Sequence, residues 1–173
     1  HISQCRIPGV EALLRVANLE QKRQLTAMEV GFRLGPRLNA VGRLGKADAA
    51  VELLCTSDAN RAESLAEELD EVNQERQELT KRMAQEAEEM AVANGFDQDD
   101  RRCVILCGED WHPGVVGIVA SRMVERFGRP AILLSREDNV LRGSARSIDG
   151  YSIHAGIEFA KAHVQKFGGH DMA

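Results

Sequence analysis

Between residues 62 and 93, apolar or small residues recur in steps of three and four. They are Ala62, Leu65, Leu69, Val72, Leu79, Met83, Met90 and Ala93, with Arg76 and Glu86 as polar interruptions. That period places them on one face of an amphipathic helix of about seven or more turns. Ser57 or Asp58 can cap its start and Gly95 can end it. Its other faces carry Glu, Gln, Lys and Arg, which predicts a solvated connector between two domains. A coiled-coil dimer is the alternative, but the seam is short and interrupted.

The flanking segments show other patterns. Residues 9–30 read as one or two helices, with Pro8-Gly9 marking a turn, and residues 45–56 read as a helix of small and branched residues. Between them "GFRLGPRLNAVGRLG" (31–45) is rich in glycine, with one proline and three arginines, which predicts a loop-rich stretch. After the long helix, Cys103–Cys107 is an apolar run of strand length, and a glycine-containing loop follows. Val115–Phe127 has helical periodicity closed by Gly128 and Pro130, and Ala131–Ser135 is a second apolar run. A strand–helix–strand unit of this kind favours parallel pairing. "EDN" then turns the chain, "VLRGSARSI" (140–148) is a third strand, a helix starts at Ser152, and a glycine-rich loop ends the sequence. The fold class is α/β.

Composition is that of a globular domain, 43% hydrophobic and 28% charged. No apolar run approaches the length of about 18 residues that a membrane span needs, and the start lacks a secretory pattern. The sequence begins without methionine and reads as a piece of a longer chain. The net charge of −5 argues superficially against a nucleic-acid partner, but the charge is segregated. Residues 58–101 hold fourteen acidic and five basic side chains, whereas residues 1–57 carry a net +3 and residues 102–173 a net +1. Either end can therefore present a basic patch. Cys5, Cys55, Cys103 and Cys107 show no C-x-x-C spacing; Cys103 and Cys107, on one face of a strand, read as small core residues, and a reducing, cytoplasmic compartment fits.

Four segments carry candidate chemistry. In "GEDWHPGVVGIVASR" a glycine loop runs into a helix whose first turn suits an anion. Trp111 could stack on a base or sugar there and His112 could bond a phosphate; a core-capping Trp and a helix-capping His account for the same residues. In "GSARSI" strand alternation puts Ser144 and Arg146 on one face, a hydroxyl beside a planar fork that suits phosphate. An edge strand with a solvent-facing arginine is the plainer alternative. Gly168 and Gly169 let the backbone around His170 turn tightly toward an anion, or mark a simple turn. Arg37, Asn39 and Arg43 could track a phosphate backbone. His154 and His163 read as structural or surface residues. No set of residues has metal-ligand spacing, and no nucleophile elbow or phosphate-binding P-loop is present, so neither catalytic nor metal residues are assigned.

Taken together, "GPRLNAVGRLG" (35–45), "ELDEVNQERQ" (68–77), "WHPGVVGIVASRMVERFGRPAILLS" (111–135), "GSARSI" (143–148) and "FGGHDMA" (167–173) resemble the RecJ-type exonucleases of the DHH phosphoesterase superfamily. The resemblance spans nearly the whole chain in the right order. It implies that residues 1–57 end a DHH catalytic domain, 58–96 form a connecting helix, and 100–173 form most of a DHH-associated domain. It implies 5′-to-3′ hydrolysis of single-stranded DNA in repair and recombination, with Mn²⁺ or Mg²⁺ held by upstream residues. Single-strand-binding protein and a helicase are the partners it implies, and a membrane is not. By the same resemblance Arg37, Asn39, Arg43, Trp111, His112, Ser144, Arg146, Gly168, Gly169 and His170 line a nucleic-acid groove. The alternatives are a DHH phosphoesterase acting on short oligoribonucleotides or cyclic dinucleotides, and a non-catalytic binding module like the associated domain of alanyl-tRNA synthetases.

Overall fold

A computed structural model describes residues 7–44 and 47–173, so Cys5, Gly45 and Lys46 lie outside the described residues. The chain divides into two compact units, His1–Glu78 and Leu79–Ala173. The first is helical: α1 (Pro8–Val16), α2 (Ala27–Glu29), a π-helical turn (Val30–Leu34), α3 (Gly35–Leu44) and α4 (Asp48–Cys55). The 35-residue helix α5 (Ala59–Ala93) passes from this unit into the second. The second adds β1 (Val104–Gly108), α6 (Pro113–Phe127), β2 (Ala131–Glu137), β3 (Val140–Arg146) and α7 (Ile153–Phe159).

Pro8-Gly9 does not form a turn ahead of the first helix. Pro8 opens α1, where its missing N–H is no loss. Gly9 lies so near the Leu53 carbonyl of α4 that a side chain there would clash. The stretch predicted as a loop at 31–45 is helical up to Leu44. Pro36 cannot donate a hydrogen bond, and its ring crowds the carbonyl four residues back. The chain answers by widening one turn: Gly35 N–H reaches back five residues to Val30 O, after which α3 continues normally. Upstream, Thr26 and Glu29 form a capping box, and Lys22 bonds Glu29. These bonds hold the Glu29 carboxyl down at about 2.

Helix α5 buries one face for most of its length, so it is more than a solvated connector. Asp58 caps its start, its carboxylate accepting from the N–H groups of Asn60 and Arg61. At its end Gly95 N–H bonds Val92 O and Phe96 N–H bonds Ala91 O, a closing pair that needs the positive φ of Gly95. Ala62, Leu65 and Leu69 are buried as their spacing predicts. Further along, the buried line is Asn73, Thr80, Met83, Ala87 and Ala91, not Val72, Leu79, Met90 and Ala93. Asn73 can be buried because its side-chain oxygen accepts from Arg76.

The three strands form one sheet in the order β1-β2-β3. β1 and β2 run parallel across α6, as the strand–helix–strand pattern predicts, and β3 returns antiparallel. The face holding Val104, Leu106, Ala131 and Leu133 is buried, together with Val115, Val119 and Met123 of α6. The opposite face is partly open: Ile105 is 50% exposed, and Cys103 and Cys107 are half-buried rather than core residues. They do share a face, and burial still pushes the Cys103 thiol up.

Candidate nucleic-acid interface

Residues paired directly across a sheet project to the same side. Arg146 pairs with Ala131, Ser144 with Leu133 and Arg142 with Ser135. Arg142, Ser144 and Arg146 therefore stand in a row on the side that α6 covers. Ser144 and Arg146 meet: Arg146 Nη1 donates to Ser144 Oγ at 2.8 Å and to the Ala145 carbonyl at 2.6 Å. Both bonds of Arg146 among the described residues start from Nη1. Its Nε and Nη2 are the side-on edge of the guanidinium, and two parallel donors on that edge match two oxygens of a phosphate. Arg142 extends the row by one step and is exposed, with Glu137 3.3 Å away. It was missed in the sequence, although it continues the two-residue alternation of Ser144 and Arg146.

The glycine loop joins the end of β3. Ser147 N–H donates to Met172 O, one residue beyond Arg146. Ser152 Oγ donates to Asp171 Oδ1 at 2.6 Å, and His154 meets Phe167 in a tilted ring contact with 5.5 Å between centroids. A Cβ at Gly169 would stand 2.1 Å from Ala173 O, so the tight turn requires glycine there. His170 Nδ1 accepts from Met172 N–H at 3.3 Å, and Gly168, Gly169 and His170 are exposed. The fold thus docks the His170 loop at the end of the Ser144–Arg146 strand.

Trp111 and His112 belong elsewhere. They precede α6 at the Gly108 end of β1, whereas Arg146 lies level with Val104 at the opposite end. Trp111 does not offer a face to a base: it is 3% exposed and packs on Gly108, where a Cβ would meet ring atoms at 2.4 Å. The missing side chain at Gly108 is the space the indole occupies. His112 is the N-cap of α6, Nδ1 accepting from Gly114 N–H at 3.0 Å. That bond leaves Nε2 as the free ring nitrogen.

Arg37, Asn39 and Arg43 are on a helix and do not share a face. Asn39 and Arg43 are four residues apart on the exposed side of α3. Arg37 points inward. Its Nε donates to Asp70 of α5 at 2.7 Å, Nη1 to Arg33 O at 2.6 Å and Nη2 to Val16 O at 3.4 Å. Its guanidinium ties α1, α3 and α5 together. Arg37→Ala is expected to destabilise the helical unit by about 1.5–3 kcal/mol, the size of bonds to a charged group. Urea unfolding checks this, and a loss well below that range would return Arg37 to the set of available cations.

The DHHA1 domain family matches residues 100–173. The RecJ single-stranded-DNA-specific exonuclease of Bacillus subtilis is 47% identical over 146 residues, 83% of this chain and 18% of that protein. Its counterparts in Dickeya dadantii and Escherichia coli are 43% and 42% identical over 176 residues, covering 98% of this chain and 30% of theirs. Over almost its whole length the chain is similar to the RecJ exonucleases. Among solved structures, RecJ from Thermus thermophilus in complex with Mg²⁺ superimposes with a TM-score of 0.84 at 32% identity, over 99% of this chain and 26% of that one. A RecJ exonuclease bound to manganese gives 0.82 at 33% identity, over 99% of this chain and 41% of that one. The chain thus spans less than a third of the curated relatives named here. A divalent ion of the kind seen in RecJ structures does not fit the described residues, among which no group of three or more His, Cys, Asp or Glu side chains could hold one. No described helix is long and apolar enough to cross a membrane.

Proposed function

We propose that this chain is the strand-holding segment of a single-stranded-DNA exonuclease that works 5′ to 3′. In this reading residues 1–57 end the catalytic DHH domain, 58–96 connect, and 100–173 form the associated domain that grips the substrate. The observation that carries it is the Ser144–Arg146 pair, with the Nε/Nη2 edge of the guanidinium unused. Relatives aligned over almost the whole chain are single-stranded-DNA-specific exonucleases, which favours single-stranded DNA among the phosphate-bearing ligands that edge could hold.

Arg146 takes a phosphate of the strand, interior or 5′-terminal, on its free edge, and Ser144 holds the guanidinium from behind. His170 and the amides of Gly168 and Gly169 border the same end of β3, while Asn39 and Arg43 offer polar contacts from α3. His112 can donate from Nε2 to a more distant phosphate. Mn²⁺ or Mg²⁺, held by residues outside this chain, would supply the water-activating chemistry. The place of action is the cytoplasm, in repair and recombination, with single-strand-binding protein and a helicase as partners.

The test compares the 173-residue chain with the full-length protein on a 5′-phosphorylated oligodeoxythymidine in manganese. The full-length protein is expected to degrade the strand from its 5′ end, and the chain alone to leave it intact. Manganese-dependent cleavage by the chain alone would sink the assignment of roles. A full-length protein that preferred di- or triribonucleotides or cyclic dinucleotides would favour the other DHH phosphoesterases.

A further inference from the structure

We infer that Gly117 of α6 is a positioning residue for the Ser144–Arg146 pair, acting through the space its missing side chain leaves. The inference rests on the nucleic-acid reading of that pair. A methyl group built on Gly117 would stand 2.9 Å from Arg146 Nη2, 3.0 Å from Ser144 Oγ and 3.5 Å from Ser144 Cβ. The nearest neighbours of the vacant position are thus the two groups that make the clamp. The first separation is closer than a Cβ tolerates and the second is tighter than nearly all such contacts, so the end of Arg146 must move if a side chain is added.

The glycine has no helical reason to be there. Gly117 sits inside a 15-residue helix, where alanine is the more stable residue. It is followed one turn later by Ser121, whose hydroxyl bonds the Gly117 carbonyl and leaves the helix regular. Its absent Cβ instead lets Arg146 Nη2 come close against α6. That contact, with the bond to Ser144 Oγ, fixes which way Nε and Nη2 face. What would have to yield to an alanine is the end of a flexible side chain and a hydroxyl, not backbone. The helix can therefore accept the methyl while the clamp is turned out of register.

The experiment uses the full-length protein and a 5′-phosphorylated oligodeoxythymidine, titrated over a range of salt concentrations. Gly117→Ala is expected to melt no lower than the parent and to bind roughly tenfold more weakly, the size of one lost charge-assisted contact. On an Arg146→Ala background it is expected to cost nothing more. Unchanged binding by Gly117→Ala overturns the inference. So does an equal loss on both backgrounds, or a marked fall in melting temperature, which would mean that packing rather than the clamp fills the space. If Arg146→Ala itself leaves binding unchanged, the nucleic-acid reading fails. The positioning is then judged by the Arg146 Nε–H resonance: a shift in Gly117→Ala supports it and an unmoved signal overturns it.

Discussion

Trp111→Ala is expected to destabilise the second unit by about 3–5 kcal/mol, the cost typical of deleting a large buried aromatic. The indole is 3% exposed and fills the volume above Gly108, so its removal leaves a cavity that backbone cannot close easily. Its Nε1 has no hydrogen-bond partner among the described residues. Trp111→Phe is therefore expected to lose much less, because it keeps most of the packing and sheds an N–H that burial leaves unsatisfied. Denaturant unfolding of the two variants measures the difference. The chain has a single tryptophan, so its fluorescence reports on this ring alone. Adding single-stranded DNA is expected to leave the emission unquenched. Strong quenching, with Trp111→Ala stable but weak in binding, would restore the base-stacking role that the sequence suggested.

Trp111 marks where local reading of the sequence stops. The loop before a helix was legible, and so was the cap at His112. What decides the role of the indole is Gly108 beneath it, a neighbour set by how the chain reverses after β1. The helix at 31–44 fails for a similar reason. Glycine and proline are read as breaks because their local costs are high, but one widened turn absorbs Pro36. The helix is then held from a distance by Arg37 on Asp70, 33 residues away in sequence. On α5 the strict apolar pattern chose Val72 and Leu79, whereas burial falls on Asn73 and Thr80. Polar residues become core residues once they find partners, and partners are invisible to periodicity.

The strand–helix–strand unit was legible because each signal in it is local: apolar runs at Val104–Leu106 and Ala131–Leu133, helical spacing from Val115, and punctuation at Gly128 and Pro130. The candidate site was half legible on the same grounds. Two-residue alternation is a local property, so Ser144 and Arg146 were found together, and Arg142 was available to the same rule. Gly117 was not, because nothing in "GVVGIVA" says which strand the helix will cover. The docking of His170 beside β3 also depends on a bond from Ser147 to Met172 that no spacing announces.

Arg146→Ala is expected to produce the largest loss of binding. In the full-length protein it removes a side-on pair of donors to a phosphate, and a charge-assisted contact of that kind contributes about 1.5–3 kcal/mol. Affinity for single-stranded DNA should therefore fall by roughly ten- to a hundredfold. Each neutralised phosphate on a single strand adds about −0.7 to the slope of log K against log salt, so the slope should flatten by about that amount. Stability should change little, since the two bonds of Arg146 go to its own strand neighbours. Arg146→Lys separates charge from geometry: a lysine restores the salt slope but cannot present two parallel donors, so affinity should recover only in part. Ser144→Ala removes the acceptor that steadies Nη1 while leaving the charge, and should weaken binding at constant slope. An unchanged slope in Arg146→Ala would leave this arginine a structural residue of β3 beneath α6, because a phosphate contact that releases no counterion is not a contact to the backbone of a nucleic acid.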